Sequence, residues 1–556
     1  VHTKPVGFAP ILAHYFDQCG IVDIIDAHVP TDPRRKVLTH GQACIAMITG
    51  ILFQAMQLYR ICQFARETTV LDALLPGIAP HDYFDDRLAD TLDALYDFGL
   101  GNLEAMLTSN MIEAFDINTD ICHNDTTCAF MYGDADKRRS DRGITITFGY
   151  SKQYRKDLKQ LVWSLSVSSD SAFPLFQQAY SGNTADVDTY VEQWHHLIDL
   201  LGKQDFLFVG DSKVASRQNM AHIHDHQGFF ISPLPMYASY EKAFADALDQ
   251  HDREVLIPYK ERINRGFEVP LVVNHEDTAY PFRMIVLFDH GLFHRKRKSL
   301  DQRIEKTRGA FDELSSRLNA YRLKEEAAID KACQAILKKY KTGDVFEYTL
   351  YNEPLVTYKN SKRGRPSATL PLEKVPVETD RFRIDLRFNQ SAYDQAIRRA
   401  GYYPLVTNQP ASKLSIKDAM MAHKNQYKVE HAYRRSKSGY QLEPIYLHTP
   451  ERIETYLFLF KIALQVIVLI EQAARKNIQA RDKGLEDFMP NRKDYRTPKA
   501  EYLLQKFEHV VSGNMRLPDG ENYGFVSELT ELQSDILAIL DVPEHCYSYE
   551  YLFDSS

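Results

Sequence analysis

The seven cysteines, at positions 19, 44, 62, 122, 128, 333 and 546, include no C-x-x-C pair and are odd in number. That spacing excludes the usual structural zinc site and a disulfide framework, so a reducing compartment is expected. Tryptophan is nearly absent, with Trp163 and Trp194 the only two. A cationic excess is missing too: 67 Lys and Arg face 75 Asp and Glu, a formal net charge of −8. Such a balance looks unsuited to a phosphate backbone, yet net charge averages over domains, and what counts is where the cations lie. The most apolar segment, Ile453 to Ile470, still carries Glu454, Lys461 and Gln465, and reads as a buried core helix rather than a membrane span. No secretory signal is read.

What is present is ample apolar material. At 44% hydrophobic over 556 residues the chain is globular, with a length that suits about three to four domains. Residues 1–115 show helix-period patterns through Ile11–Ile25, Gln42–Ala65 and Leu88–Ala114, with Thr39 as a cap for the second. Residues 116–235 read as strand, strand, strand, helix, strand, helix, strand. Ile144–Tyr150, Leu161–Val167 and Phe173–Tyr180 are extended runs, Thr184–Leu201 a helix capped by Thr184, and Phe206–Asp211 and Gly228–Ser232 buried strands. Residues 236–400 interrupt this α/β pattern with strands and a helical stretch over Ser299–Lys341. Residues 401–480 return to it with the strand Tyr402–Thr407, a helix that carries Glu430 and is capped by Ser415, and a helix with Pro450 at its first position. Residues 481–556 form a loop-rich end closed by a helix over Ser527–Leu540.

Three acids stand out. Asp125 sits within the strand-like run Asp120–Cys128, and Asp211 ends the apolar run Asp205–Asp211. Asp is depleted in strands, so a carboxylate there needs a partner or starts a turn. In Asn425–Lys437, read as a helix, Glu430, Tyr433, Arg434 and Lys437 fall at spacings that share one face. A solvated helix face has the same pattern. An Asp–Asp–Glu set, however, is the ligand set for two divalent metals that clamp the attacking and leaving oxygens of a phosphodiester.

These residues resemble DDE transposases of bacterial insertion sequences, in the IS-four-like branch with an RNase-H-like catalytic core. The resemblance is carried by HNDTT (His123 to Thr127), GYSKQYRKDLKQLV (Gly149 to Val162), SGNTAD (Ser181 to Asp186) and FLFVGDSKVAS (Phe206 to Ser216). It continues in Tyr427 to Phe458 and in ELTELQSDILAIL near the end. It implies an α/β RNase-H-like core interrupted by a mixed β/α insertion, an N-terminal all-α domain for end binding or dimer contact, and a helical C-terminal region. It implies Asp125, Asp211 and Glu430 as catalytic, metal-holding acids, with two Mg²⁺ ions that Mn²⁺ replaces. Lys437 falls at the lysine of the branch's Tyr-Arg-Glu-Lys signature, while His423 and Gln426 stand at its tyrosine and arginine. The implied activity is metal-dependent hydrolysis at terminal inverted repeats, followed by joining of the freed 3′-OH to target DNA. The implied partners are double-stranded DNA and a second copy of the chain in a homodimer, with no membrane, in a bacterial cytoplasm.

DNA contacts are expected where cations cluster. Lys152, Arg155 and Lys156 interleave with tyrosines, a pattern that suits backbone pairing plus base stacking. Arg295, Lys296 and Arg297 open the basic helical stretch, and Tyr433, Arg434 and Lys437 flank Glu430. Arg363 and Arg365 lie in Lys362-Arg-Gly-Arg-Pro366, which resembles a minor-groove AT-hook core. Each is also what a solvated surface looks like. Two rival functions stay open: an inactive, repurposed DNA-binding protein, and a nuclease of the same core without strand transfer. Neither tryptophan falls in the insertion, so hairpin formation at a flipped base has no sequence support.

Overall fold

The computed structural model describes residues 2–35, 37–55, 57–132, 141–150, 155–251, 253–361, 373–490, 492–516 and 522–554. After a short strand β1 (His2–Pro5), the helix-period segments become α1 (Ala9–Gln18), α2 (Ile21–His28), α3 (His40–Leu52), α4 (Leu58–Glu67), α5 (Val70–Leu74), α6 (Asp85–Phe98) and α7 (Leu100–Ala114). Each of the three long expected helices is therefore broken in two. The last breaks at Gly99, whose φ of +106° is open to glycine and strained for residues with a Cβ. Thr39 caps α3 through a full capping box with Gln42.

The next segment builds a mixed sheet: β2 (Ile121–Met131), β3 (Lys159–Ser168), β4 (Pro174–Ser181), then α8 (Asp186–Leu201), β5 (Leu207–Val209), α9 (Arg217–Asp225) and β6 (Phe229–Pro233). The strands run in the order β4-β3-β2-β5-β6. β2, β3 and β4 pair antiparallel, whereas β2–β5 and β5–β6 pair parallel. Two local readings change. Ile144–Tyr150 alternates like a strand but makes only the single bridge Thr147–Gln160, because β3 already pairs with β2 and β4 along its length. Ala185 rather than Thr184 precedes α8, and the Thr184 amide closes a turn onto the Ser181 carbonyl.

Then come α10 (Ala238–Gln250), β7 (Val255–Tyr259), β8 (Arg262–His275), β9 (Thr278–Phe288), α11 (His290–Ser316), α12 (Glu326–Tyr340), β10 (Phe346–Asn352), β11 (Leu355–Asn360), β12 (Lys374–Thr379), β13 (Phe382–Phe388) and α13 (Gln390–Arg399). The helical stretch expected over 299–341 is thus two helices. Phe311 and Leu314 of α11 pack with Ile329 and Cys333 of α12 and with Phe382, which draws the pair into a hairpin over the β10–β13 ribbon. By contacts the chain divides into two compact units. One is residues 1–235, 270–283 and 406–556, and the other is 236–269 and 284–405.

The remaining elements are β14 (Tyr402–Thr407), α14 (Ile416–Lys424), α15 (Tyr427–Arg434), α16 (Pro450–Gln479), α17 (Ala500–Gln505), β15 (Val511–Arg516), β16 (Asn522–Val526) and α18 (Glu531–Ile539). Ser415 caps α14, not the helix that carries Glu430. α16 starts with Pro450 and is long and apolar enough to cross a membrane, but 94% of its apolar window is buried inside the protein. Within it Lys461 pairs with Glu104 of α7 at 3.2 Å, both 1% exposed. The C-terminal region is not purely helical and the N-terminal one not purely α. β15 pairs with both β1 and β16, which ties the two ends of the chain into one small sheet.

Candidate active site

Parallel pairing joins the strand that bears the first acid to the strand that leads into the second. β2 meets β5 with Ile121 opposite Leu207, Cys122 opposite Phe208 and His123 opposite Val209. Asp211 follows two residues past the end of β5, and the same offset counted two residues further along β2 falls on Asp125, inside that strand. A Cβ at Gly210 would stand 2.4 Å from the Val214 side chain, so the close turn of the Asp211 loop leaves room only for glycine there. Among the described residues, two hydrogen bonds fall on Oδ1 of Asp211. They come from the Tyr190 hydroxyl at 2.8 Å and the Lys213 amide at 2.9 Å. Tyr190 carries no local sequence signal. It reaches the site from α8, which packs on the sheet.

The third acid arrives on a helix docked along β2. Gln426 donates to the Asn124 carbonyl at 2.9 Å, Tyr433 to the Asp125 carbonyl at 2.6 Å, and Lys437 to the Cys128 carbonyl at 2.5 Å. Glu430 lies between Gln426 and Tyr433 at helical spacing on that same face, and it is exposed. The helix does not run on regularly to Lys437. It widens into a π turn over Arg435–Gly439, of the kind that often marks functional positions. The four residues expected on one face differ in exposure. Glu430 and Arg434 are exposed, Tyr433 is buried with its hydroxyl also on the Trp163 carbonyl at 3.1 Å, and Lys437 lies 3.5 Å from Glu443.

His423 and Gln426 act inward. Gln426 Oε1 meets His123 Nδ1 at 3.0 Å, and His123 Nε2 meets Ser169 at 3.0 Å. Burial pushes the imidazoles of His123 and His423 down to about 4, so both are neutral at pH 7. Gln426 holds the helix to the strand, and the neutral His423 presents no cationic grip.

The other sequence-marked cations are spread out. Arg155 is exposed and paired with Asp157 at 2.8 Å, and Lys156 is exposed. Arg295, Lys296 and Arg297 are exposed on the first turns of α11, with Arg297 3.9 Å from Asp301. Lys152, Arg363 and Arg365 lie outside the described residues.

Carboxylates within β2 (Asp125), just past β5 (Asp211) and on α15 (Glu430) are hard oxygen donors, the kind a divalent cation takes. Among the described residues no three His, Cys, Asp or Glu side chains are already gathered to hold a metal.

Comparison with known proteins defines the class. Residues 149–466, more than half of the chain, match the family described as transposase DDE domain, and residues 1–109 match a domain of unknown function (DUF4277). The chain belongs to the DDE transposase domain family. Asp211 and Glu430 fall inside the matched segment and Asp125 before it. No curated protein matches the chain. Among solved structures it is similar to a piggyBac transposase in a synaptic complex with hairpin DNA, at 8% identity and a TM-score of 0.25. That match covers 48% of this chain and 61% of the piggyBac chain, so the sequence spans less than two thirds of that protein.

Proposed function

We propose that this protein is a DNA transposase of the IS-four-like branch, with an RNase-H-like core that cuts the terminal inverted repeats of an insertion sequence and joins the freed 3′-OH to target DNA. The observation that supports this reading is that the strand bearing Asp125 pairs in parallel with the strand leading into Asp211 and also receives the Glu430 helix. Three antiparallel strands followed by two parallel ones, with helices between, is the order expected for such a core.

Asp125, Asp211 and Glu430 would hold Mg²⁺, or Mn²⁺ in its place. When bound, the metal supplies Lewis-acid activation of water and of the phosphodiester. The chain's own part is to orient the carboxylates. Tyr190 and the Lys213 amide fix one oxygen of Asp211, and Tyr433 and Gln426 hold the Glu430 helix against the strand that bears Asp125. No Ser, Tyr or Cys nucleophile enters. Processing two ends together calls for a homodimer, working on DNA in the cytoplasm.

The test is Mg²⁺-dependent nicking of terminal-repeat DNA, followed by a strand-transfer assay. Wild type should nick and join, while Asp125→Ala, Asp211→Ala and Glu430→Ala should do neither. Nicking without joining would reassign the chain as a nuclease. Binding without nicking would make it a repurposed DNA-binding protein.

A further inference from the structure

The α15 face turned away from β2 borders a cavity of about 640 Å³, closed by α16 and the segment that leads into α17. Its floor is apolar, with Ala432, Leu464 and Val468 among the lining residues. Two exposed aromatic rings stand at its edge, Tyr427 at 47% and Tyr502 at 41% exposed.

Its charges do not cancel. Glu471 is bound by Arg435 and by Arg475 at 2.6 Å, and Glu501 by Arg435 at 2.6 Å, so these acids are already neutralised. Lys428 points its ammonium at backbone carbonyls, that of Asp170 at 2.8 Å among them. Arg434 and Lys499 line the same cavity with no acidic partner among the described residues.

An apolar floor, aromatic edges and two cations without counter-charge form the complement of one nucleotide, a flat base joined to a phosphate. We infer that this cavity takes an unpaired nucleotide of a DNA strand, with the phosphate at Arg434 and Lys499 and the base against Tyr427 and Tyr502. The inference rests on the transposase reading for its ligand class. Glu430 and the cavity share one helix, so a single-stranded extension beside the cut would need to pass only around α15. Duplex DNA has its bases stacked and cannot fill the floor.

The experiment uses the full chain in EDTA, where no cleavage occurs. Fluorescence anisotropy compares a blunt terminal-repeat duplex with the same duplex carrying a four-nucleotide single-stranded extension, and 2-aminopurine in that extension reports stacking. Wild type should bind the extended form at least about fivefold more tightly and quench the 2-aminopurine, as base stacking on an aromatic ring predicts. Lys499→Glu and Tyr502→Ala are surface changes. They should erase the preference and leave blunt-duplex binding within about twofold, with unchanged thermal melts as the check on folding. Equal wild-type affinity for both forms, or a preference that survives in both variants, overturns the inference. Displacement of the extension by free deoxynucleoside monophosphate at comparable concentration would also overturn the strand assignment. Glu430→Gln separates this inference from the function on which it rests. Nicking abolished by that change without any extension preference sinks the cavity alone, while a preference with nicking indifferent to the three acids sinks the active-site reading alone.

Discussion

The Tyr433 hydroxyl lies 2.6 Å from the carbonyl oxygen of Asp125, so a helix residue from late in the chain fastens the strand on which the first candidate acid sits. The same hydroxyl is 3.1 Å from the Trp163 carbonyl on β3, and its ring meets the Trp163 indole edge-on at 5.6 Å. Tyr433→Phe keeps the ring and removes the hydrogen bonds. The expected loss is about 1 kcal/mol of stability by urea denaturation. Single-turnover nicking should slow because the Glu430 helix is less firmly placed. Unchanged values in both assays would show that the hydroxyl has no positioning role.

Tyr190 holds the Asp211 carboxylate from the side of α8. Groups that orient a metal-holding carboxylate typically matter by about 10–100-fold. Tyr190→Phe should weaken Mn²⁺ affinity by that order, read by Mn²⁺ electron paramagnetic resonance without DNA. The far-UV spectrum should stay as in wild type. Equal Mn²⁺ affinity in variant and wild type would remove Tyr190 from the site.

His123 sets a pH dependence. Its imidazole is fully buried and pushed down to about 4, against about 6.5 in the unfolded chain. Below pH 6.5 the unfolded state therefore takes up a proton that the folded state refuses, and stability falls as pH drops. The stabilisation is complete above pH 6.5 and is lost through the window down to about 4, at about 1.4 kcal/mol per pH unit for this group. Denaturation midpoints from pH 7.5 to 4.5 should decline, and His123→Asn, which cannot protonate, should flatten part of that decline. A variant slope as steep as wild type would assign the acid lability elsewhere.

The Lys461–Glu104 pair is sealed in the core. Glu104 Oε1 also accepts the Gln177 amide at 2.8 Å, and Lys461 reaches the Thr108 hydroxyl at 2.5 Å. Burial raises the Glu104 carboxyl and lowers the Lys461 ammonium, each held in check by the other. Removing one partner leaves an uncompensated buried charge. Lys461→Met or Glu104→Gln should each cost about 3–5 kcal/mol, and the double change less than their sum. Additive losses in a double-mutant cycle would deny the coupling.

The elements rooted in short stretches were legible in the sequence by itself. The unbroken apolar runs 206–211 and 228–232, the Thr39 capping box and the Pro450 start of α16 depend on neighbours within a few residues. So does the oddity of aspartate at positions 125 and 211, which marked them as candidates. Only the tertiary structure decided what lies hundreds of residues apart. The parallel β2–β5 pairing that joins the strand of Asp125 to the one leading into Asp211 is one case, and the inward turn of Gln426 and Tyr433 onto β2 is another. The π turn that follows α15, the strand–strand closure of the two chain ends, and the cationic cavity behind α15 belong with them. Ile144–Tyr150 shows the boundary: alternation gives a segment the means to be a strand, but only a free edge in the assembled sheet makes it one.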